Sequence, residues 1–196
     1  MASQASDFQD DALRDRSRAL IEEGWEIWAR FDMAVRQRKW HPFVPGDYER
    51  VLEALRPLHA PGLRFLEWGS ATGVVTIISD LLGFEPYGIE LDSRLVEIAR
   101  GLAARYESRS RFAEGSFLPA GYRWRPSSGD GRMGTIGHGP SGYPELGHPL
   151  DDFDVVYAYP WGGEEPMMLD LMRRYGRRGA RLLLHGDSDV RVYENV

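Results

Sequence analysis

Residues 65–73 read FLEWGSATG. Phe65, Leu66 and Trp68 are strand-forming residues with an acid, Glu67, among them. Gly69 and Gly73 follow four positions apart with only small residues between. The next stretch, Val74 to Leu82, is an apolar run of helical length that Gly83 ends. A strand leaving through a glycine turn straight into a helix aims the helix dipole and free N–H groups at the turn. Without Cβ atoms at Gly69 and Gly73, a ligand can come close to the backbone. A carboxylate or a phosphate suits such a place, although a glycine pair alone is equally a structural turn.

Outward from this turn, strands and helices alternate. The first strand is Leu63–Glu67. A second is expected over Glu85–Glu90, then a helix over Ser93–Tyr106, capped by Asp92, with Leu95, Val96, Ala99, Leu102 and Ala103 inward. Further strands are expected over Arg111–Glu114, Asp154–Tyr159 and Arg181–His185. A helix from Pro166 to Tyr175 separates the last two. The tail DVRVYENV alternates and reads as a last strand. Apolar strands joined by helices predict a parallel sheet covered on both faces, and right-handed crossovers make it a doubly wound, Rossmann-like α/β fold. Ligands of such folds bind at the carboxyl ends of the strands, where FLEWGSATG lies.

The domain plan has three parts. Residues 1–10 are polar and read as disordered. Residues 11–60 form a helical extension. Its first helix, Asp11 to Arg38, carries Leu20, Gly24, Trp28, Phe31 and Val35 on one stripe, with Trp25 and Ile27 alongside. WHPFVPGDY breaks that helix at Pro42 and Pro45, and Asp47 caps a second one running to Leu58 with Val51, Leu52 and Leu55 buried. Residues 61–196 form the ligand-binding domain. Within it, residues 118–150 are rich in glycine and proline and have no period. Tyr122, Trp124, Tyr143, Arg123, Arg125 and Arg132 favour a substrate-facing lid there.

Composition excludes several functions. The 196 residues carry a formal net charge of −6, which argues against nucleic acid as the main partner. There is no cysteine, so disulfides, thiolate catalysis and cysteine metal sites are ruled out. No apolar run approaches the ~18–20 residues of a membrane span. The amino-terminal residues do not look like a leader peptide, and a cytoplasmic protein is the expectation. His138, His148, Asp151 and Asp152 lack metal-ligand spacing, so no metal is expected. His185 ends a strand, where it is either a base or a hydrogen-bonded structural residue.

Glu90 ends the second strand 21 residues after Gly69. A carboxylate at about this distance beyond a glycine turn accepts hydrogen bonds from both hydroxyls of a ribose. A nicotinamide-dependent oxidoreductase is one reading, but its G-x-G-x-x-G pattern needs a glycine where this chain has Val74. The stretch instead resembles the first motif of class I S-adenosylmethionine-dependent methyltransferases, acid-x-G-x-G-x-G, as Glu67, Gly69, Ala71 and Gly73, with alanine for the middle glycine. YGIELD resembles the second motif, and RFAEGSF the third. DVVYAYPWGGEEP lies in the place of the fourth, with Ala158 where some amino-group methyltransferases carry Asn or Asp. WHPFVP is also similar to a segment of the ATP-synthase c-subunit lysine methyltransferase family.

The resemblance implies a methyltransferase sheet shortened after its fifth strand, with S-adenosylmethionine as cofactor. It implies that Gly69, Ser70, Ala71 and Gly73 receive the methionine part and that Glu67 holds its ammonium. Glu90 then binds the ribose, Ile89 or Leu91 flanks the adenine, and Gly115 and Ser116 lie beside the base. Tyr159, Pro160 and Trp161 would line the transfer site, with Glu164 or Glu165 binding a cationic substrate or taking a proton. The acceptor is a small molecule or a protein. A binding protein of the same fold without turnover is the remaining alternative. The open edge of the fifth strand calls for cover by the tail or by a homodimer.

Overall fold

A computed structural model describes residues 2–123 and 139–196, with the side chains of residues 2–10 left aside. Six strands form one sheet in the order β3-β2-β1-β4-β5-β6. They are β1 (Arg64–Trp68), β2 (Glu85–Glu90), β3 (Arg111–Glu114), β4 (Val155–Ala158), β5 (Arg181–His185) and β6 (Val190–Glu194). The first five are mutually parallel, and β6 returns antiparallel along β5. The order reverses between β1 and β4, and that switch point lies at the turn 69–73.

The helices cover both faces. On one side lie α1 (Ala2–Phe31), α2 (Tyr48–Leu55), α3 (Val74–Leu81) and α4 (Ser93–Arg105). Six of the eight residues of α3 are buried, because it is enclosed by the sheet below and α1 and α2 above. Burial of each of its Val and Ile side chains contributes about 1.5–3 kcal/mol. Gly24 of α1 explains its place on the inward stripe: a Cβ there would stand 2.8 Å from Val74 Cγ2. On the other side lie α5 (Tyr143–Leu146) and α6 (Glu165–Tyr175).

Asp47 caps α2 by accepting from Arg50 N–H, and Asp92 caps α4 by accepting from Arg94 and Leu95 N–H. The helical backbone of α1 begins at Ala2, inside the stretch expected to be disordered, and beyond Phe31 it widens into a π-turn over Asp32–Arg36. The tail forms β6 and covers β5.

Part of the loop 118–150 differs from expectation. Tyr122 and Tyr143 are buried in the apolar cluster that the sheet forms with α5 and α6. The Tyr122 hydroxyl donates to Asp170, and the Tyr143 hydroxyl accepts from Trp68 Nε1–H. Residues 139–142 rejoin the end of β3, where Ser116 N–H donates to Pro140 O and Gly142 N–H to Ser116 O. Trp124, Arg125, Arg132 and His138 lie outside the described residues. No helix among the described residues is long and apolar enough to cross a membrane.

Candidate cofactor and active site

A cavity of about 610 Å³ opens at the carboxyl ends of the strands. Gly69 and Ala71 after β1, Glu90 and Leu91 at the end of β2, Gly115 after β3 and Tyr159, Pro160 and Trp161 after β4 all line it. Four separate stretches of sequence are thus brought to one hollow by the parallel order of the sheet. A smaller recess of about 40 Å³ adjoins it, lined among others by Glu67, Ser70, Thr72, Tyr48 and Tyr157.

The turn itself is tightly bonded. Gly69 and Ser70 both donate N–H to Ile89 O at 2.9 Å, and Gly73 N–H donates to Ser70 O. Ala71 N–H donates to Glu90 Oε2 at 2.8 Å. These four N–H groups are taken by protein acceptors and are not offered to a phosphate, unlike the simplest reading of the glycine turn. The two glycines also have different tasks. Gly69 has φ +72 with open space where a Cβ would stand, so its surface is free to meet a ligand. Gly73 has φ +78, and a Cβ there would stand 2.6 Å from the Phe112 ring, so it serves close packing.

Glu90 receives N–H groups on both oxygens, from Ala71 on one and from Asp92 at 2.9 Å on the other. Burial pushes its pKa up, and these bonds act against that. Each carboxylate oxygen has a second lone pair, which is what two vicinal hydroxyls would need. Glu67 is buried beside α3 and accepts from Thr76 N–H at 2.9 Å and from the Thr76 hydroxyl. It thereby satisfies a donor of the first turn of α3, whose cap, Gly73, has no side chain to do so. Burial raises its pKa to about 8, against the opposing pull of the Thr76 bonds.

Ser116 and Glu164 stand outside the cavity lining. The Ser116 hydroxyl accepts from Leu118 N–H. Glu164 is buried and accepts Trp161 N–H at 3.0 Å, which shapes the turn that presents Trp161. Glu165 is held by Arg191 through two bonds and by Tyr193. His148 contacts Asp152 at 2.8 Å and the Tyr87 hydroxyl at 3.1 Å, as a packed structural residue does.

Several lining residues escaped the sequence reading. His41, Pro42, Phe43 and Val44, from the proline-rich break after α1, form one wall. Phe117 lines another and stacks on Trp68 at 5.3 Å. Trp40, half exposed, packs beside Trp161 at 6.1 Å. The charged side chains of the lining are Glu90, Asp92 and Asp187; no Lys or Arg is among the described lining residues. The two prolines of WHPFVP signalled an irregular segment, but nothing local to it reports that it folds back over the sheet.

Comparison with known proteins agrees with this architecture. No protein-family model matches the chain. The chain is 30% identical over 99 residues to the ribosomal protein L11 methyltransferase of Thermus thermophilus, covering 49% of this chain and 39% of that protein. It therefore spans about two fifths of that relative's length. Among solved structures, an RNA methyltransferase from Salinibacter ruber in complex with S-adenosyl-L-homocysteine superposes with a TM-score of 0.51 at 16% identity, over 72% of this chain and 76% of that one. The precorrin-6y C5,15-methyltransferase of Geobacter metallireducens gives 0.47 at 18% identity, over 68% and 58%. The fold is that of the class I S-adenosylmethionine-dependent methyltransferases. Where a dinucleotide fold would carry its third glycine, Val74 is buried beneath Gly24.

Proposed function

We propose that this chain is an S-adenosylmethionine-dependent methyltransferase whose acceptor is an amine, on a small molecule or a protein. The observation that carries the cofactor reading is the carboxylate of Glu90 on the cavity wall, bonded to the turn after β1. The cofactor would supply a methyl group on a cationic sulfur; an ammonium acceptor would first lose a proton to solvent, and the lone pair so freed would take the methyl carbon while the S–C bonding pair stays on sulfur as a neutral thioether.

The residues then have these tasks. Glu90 takes the ribose hydroxyls. Glu67, at the adjoining recess, faces the ammonium. Leu91 and Ile89 flank the base. Tyr159, Pro160, Trp161 and Phe117 exclude water and hold the acceptor in line, and aromatic faces favour a cation near them. The acceptor preference rests on charge: three acids and no Lys or Arg line the cavity among the described residues, which attracts a cationic amine and repels a phosphate.

The test is transfer of labelled methyl groups from S-adenosylmethionine to separate pools of amines, lysine-containing peptides, phenols and RNA. Label in the amine or peptide pool is the expected result. Label confined to phenols or RNA overturns the acceptor assignment, and no label in any pool counts against turnover.

A further inference from the structure

The segment 40–47 runs as a strap between the π-turn and α2, and His41, Pro42, Phe43 and Val44 form the cavity wall it contributes. It carries two prolines, which have no N–H to bond with. Two of its remaining N–H groups end on imidazole nitrogens. Phe43 N–H donates to His41 Nδ1 at 3.1 Å, and Asp47 N–H donates to His185 Nε2 at 3.4 Å.

A backbone N–H can only donate, so each of these ring nitrogens must hold a lone pair. The tautomers follow. His41 carries its proton on Nε2, which lies 3.1 Å from Asp92 Oδ2. His185 carries its proton on Nδ1, which lies 3.0 Å from the Tyr157 hydroxyl. Both rings are therefore neutral while the strap is fastened, and an imidazolium could accept neither bond. The fastening is close. A Cβ on Gly46 would stand 3.1 Å from the Tyr157 hydroxyl and 3.2 Å from His185 Cε1. One fastener also reaches the ribose-binding acid, because Asp92 donates its own N–H to Glu90.

We propose that His41 and His185 are positioning residues that, as neutral acceptors, hold the strap as a wall of the cofactor cavity, and that protonating them releases it and weakens cofactor binding. This rests on the cofactor reading given above.

The two rings have different surroundings. His41 is faced by Asp92 from the start of α4 and by the ring edge of Phe31 from α1. His185 is faced by Tyr157 of β4 and Tyr159 just after it, by Asp47 and Arg50 from the start of α2, and by Asp189 from the turn before β6. Burial first, and then Arg50, push its pKa down, while Asp47 and Asp189 act the other way. A histidine whose folded-state pKa is lowered contributes stability at neutral pH that is lost as pH falls below its ordinary value near 6.5.

Two measurements test this. The first uses no cofactor: hydrogen exchange of the Phe43 and Asp47 amides, corrected for intrinsic rates, between about pH 8 and about pH 5. Protection that falls at least about tenfold towards the acid end is expected. Protection that holds through the whole range overturns the proposal.

The second is calorimetric affinity for S-adenosylhomocysteine over the same range, on wild type and on the double variant His41→Asn, His185→Gln. An Asn amide oxygen replaces a lone pair at the Nδ1 position, a Gln oxygen replaces one at Nε2, and neither titrates. The wild type is expected to lose at least about tenfold in affinity towards the acid end, while the double variant stays within about threefold. An equal loss in both would assign the effect to Glu90, Asp92 or Glu67 and overturn the proposal. Absent binding at about pH 8 together with pH-dependent exchange would leave the strap fastening standing and remove the cofactor reading beneath it.

Discussion

Ala71 holds a left-handed backbone conformation, φ +45, at the point where the resembling motif has its middle glycine. An L side chain there costs about 1 kcal/mol, and the bond from Ala71 N–H to Glu90 holds the conformation in place. Ala71→Gly should therefore keep the turn and stabilise the protein by up to about 1 kcal/mol, reduced by the greater freedom of glycine in the unfolded chain. A thermal scan is expected to show a rise of about 2–4 °C at most. A fall would mean that the Ala71 methyl has a packing role.

Glu67 gives a pH prediction at the same scale. Its folded-state pKa is raised from 4.5 to about 8. The folded protein thus retains a proton that the unfolded chain has lost, so stability falls as pH rises from about 4.5 through about 8. Glu67→Gln keeps an acceptor for Thr76 and removes the charge. Its urea midpoint should change little between about pH 6 and about pH 9 while that of the wild type drops. The same variant should bind the cofactor about tenfold more weakly, because an ammonium beside Glu67 favours its ionised form and the charge-assisted bond formed on binding is lost in the variant.

At the scale of elements, the strands and helices of the sheet domain were legible because each has its own period, cap or stop. β2, β3 and β5 lie where the apolar runs placed them. The short α5 and the 3-10 turn Leu150–Asp152 were not legible, since four and three residues are too few to show a period. The burial of Tyr122 and Tyr143 was hidden for another reason: their partners, Asp170 and Trp68, lie 48 and 75 residues away. Distance in sequence also hid the cavity wall contributed by the strap, one of whose bonds spans 138 residues. That Gly69, Ala71, Glu90 and Leu91 come together on one cavity wall was readable because strand, turn and acid fall within one short stretch.

Gly73 tests how α3 is seated. Gly73→Ala should destabilise by about 2–4 kcal/mol, from the clash with Phe112 and Ala99 together with the left-handed φ. Unfolding in urea measures it, and a change under about 0.5 kcal/mol would show that α4 and β3 can yield there.

At the scale of the whole molecule, the two largest apolar clusters among the described residues lie on the two faces of one sheet, and the cavity sits where the strands end. The β5 edge is closed by β6, which is tied to α6 by the bonds of Arg191 and Tyr193 to Glu165. Removing residues 190–196 should expose β5 and produce self-association, since an uncovered strand edge is a template for pairing. Light scattering on the truncated protein checks this, and an unchanged size would mean that β6 is dispensable cover.

The cavity is proposed to hold S-adenosylmethionine. Calorimetric titration of the intact protein with S-adenosylmethionine and S-adenosylhomocysteine, repeated on Glu90→Ala, tests it most directly. Binding by the wild type that weakens at least about a hundredfold in the variant, roughly the loss of two hydrogen bonds to a carboxylate, is the predicted result. No binding to the folded wild type, or equal binding by both proteins, would contradict it.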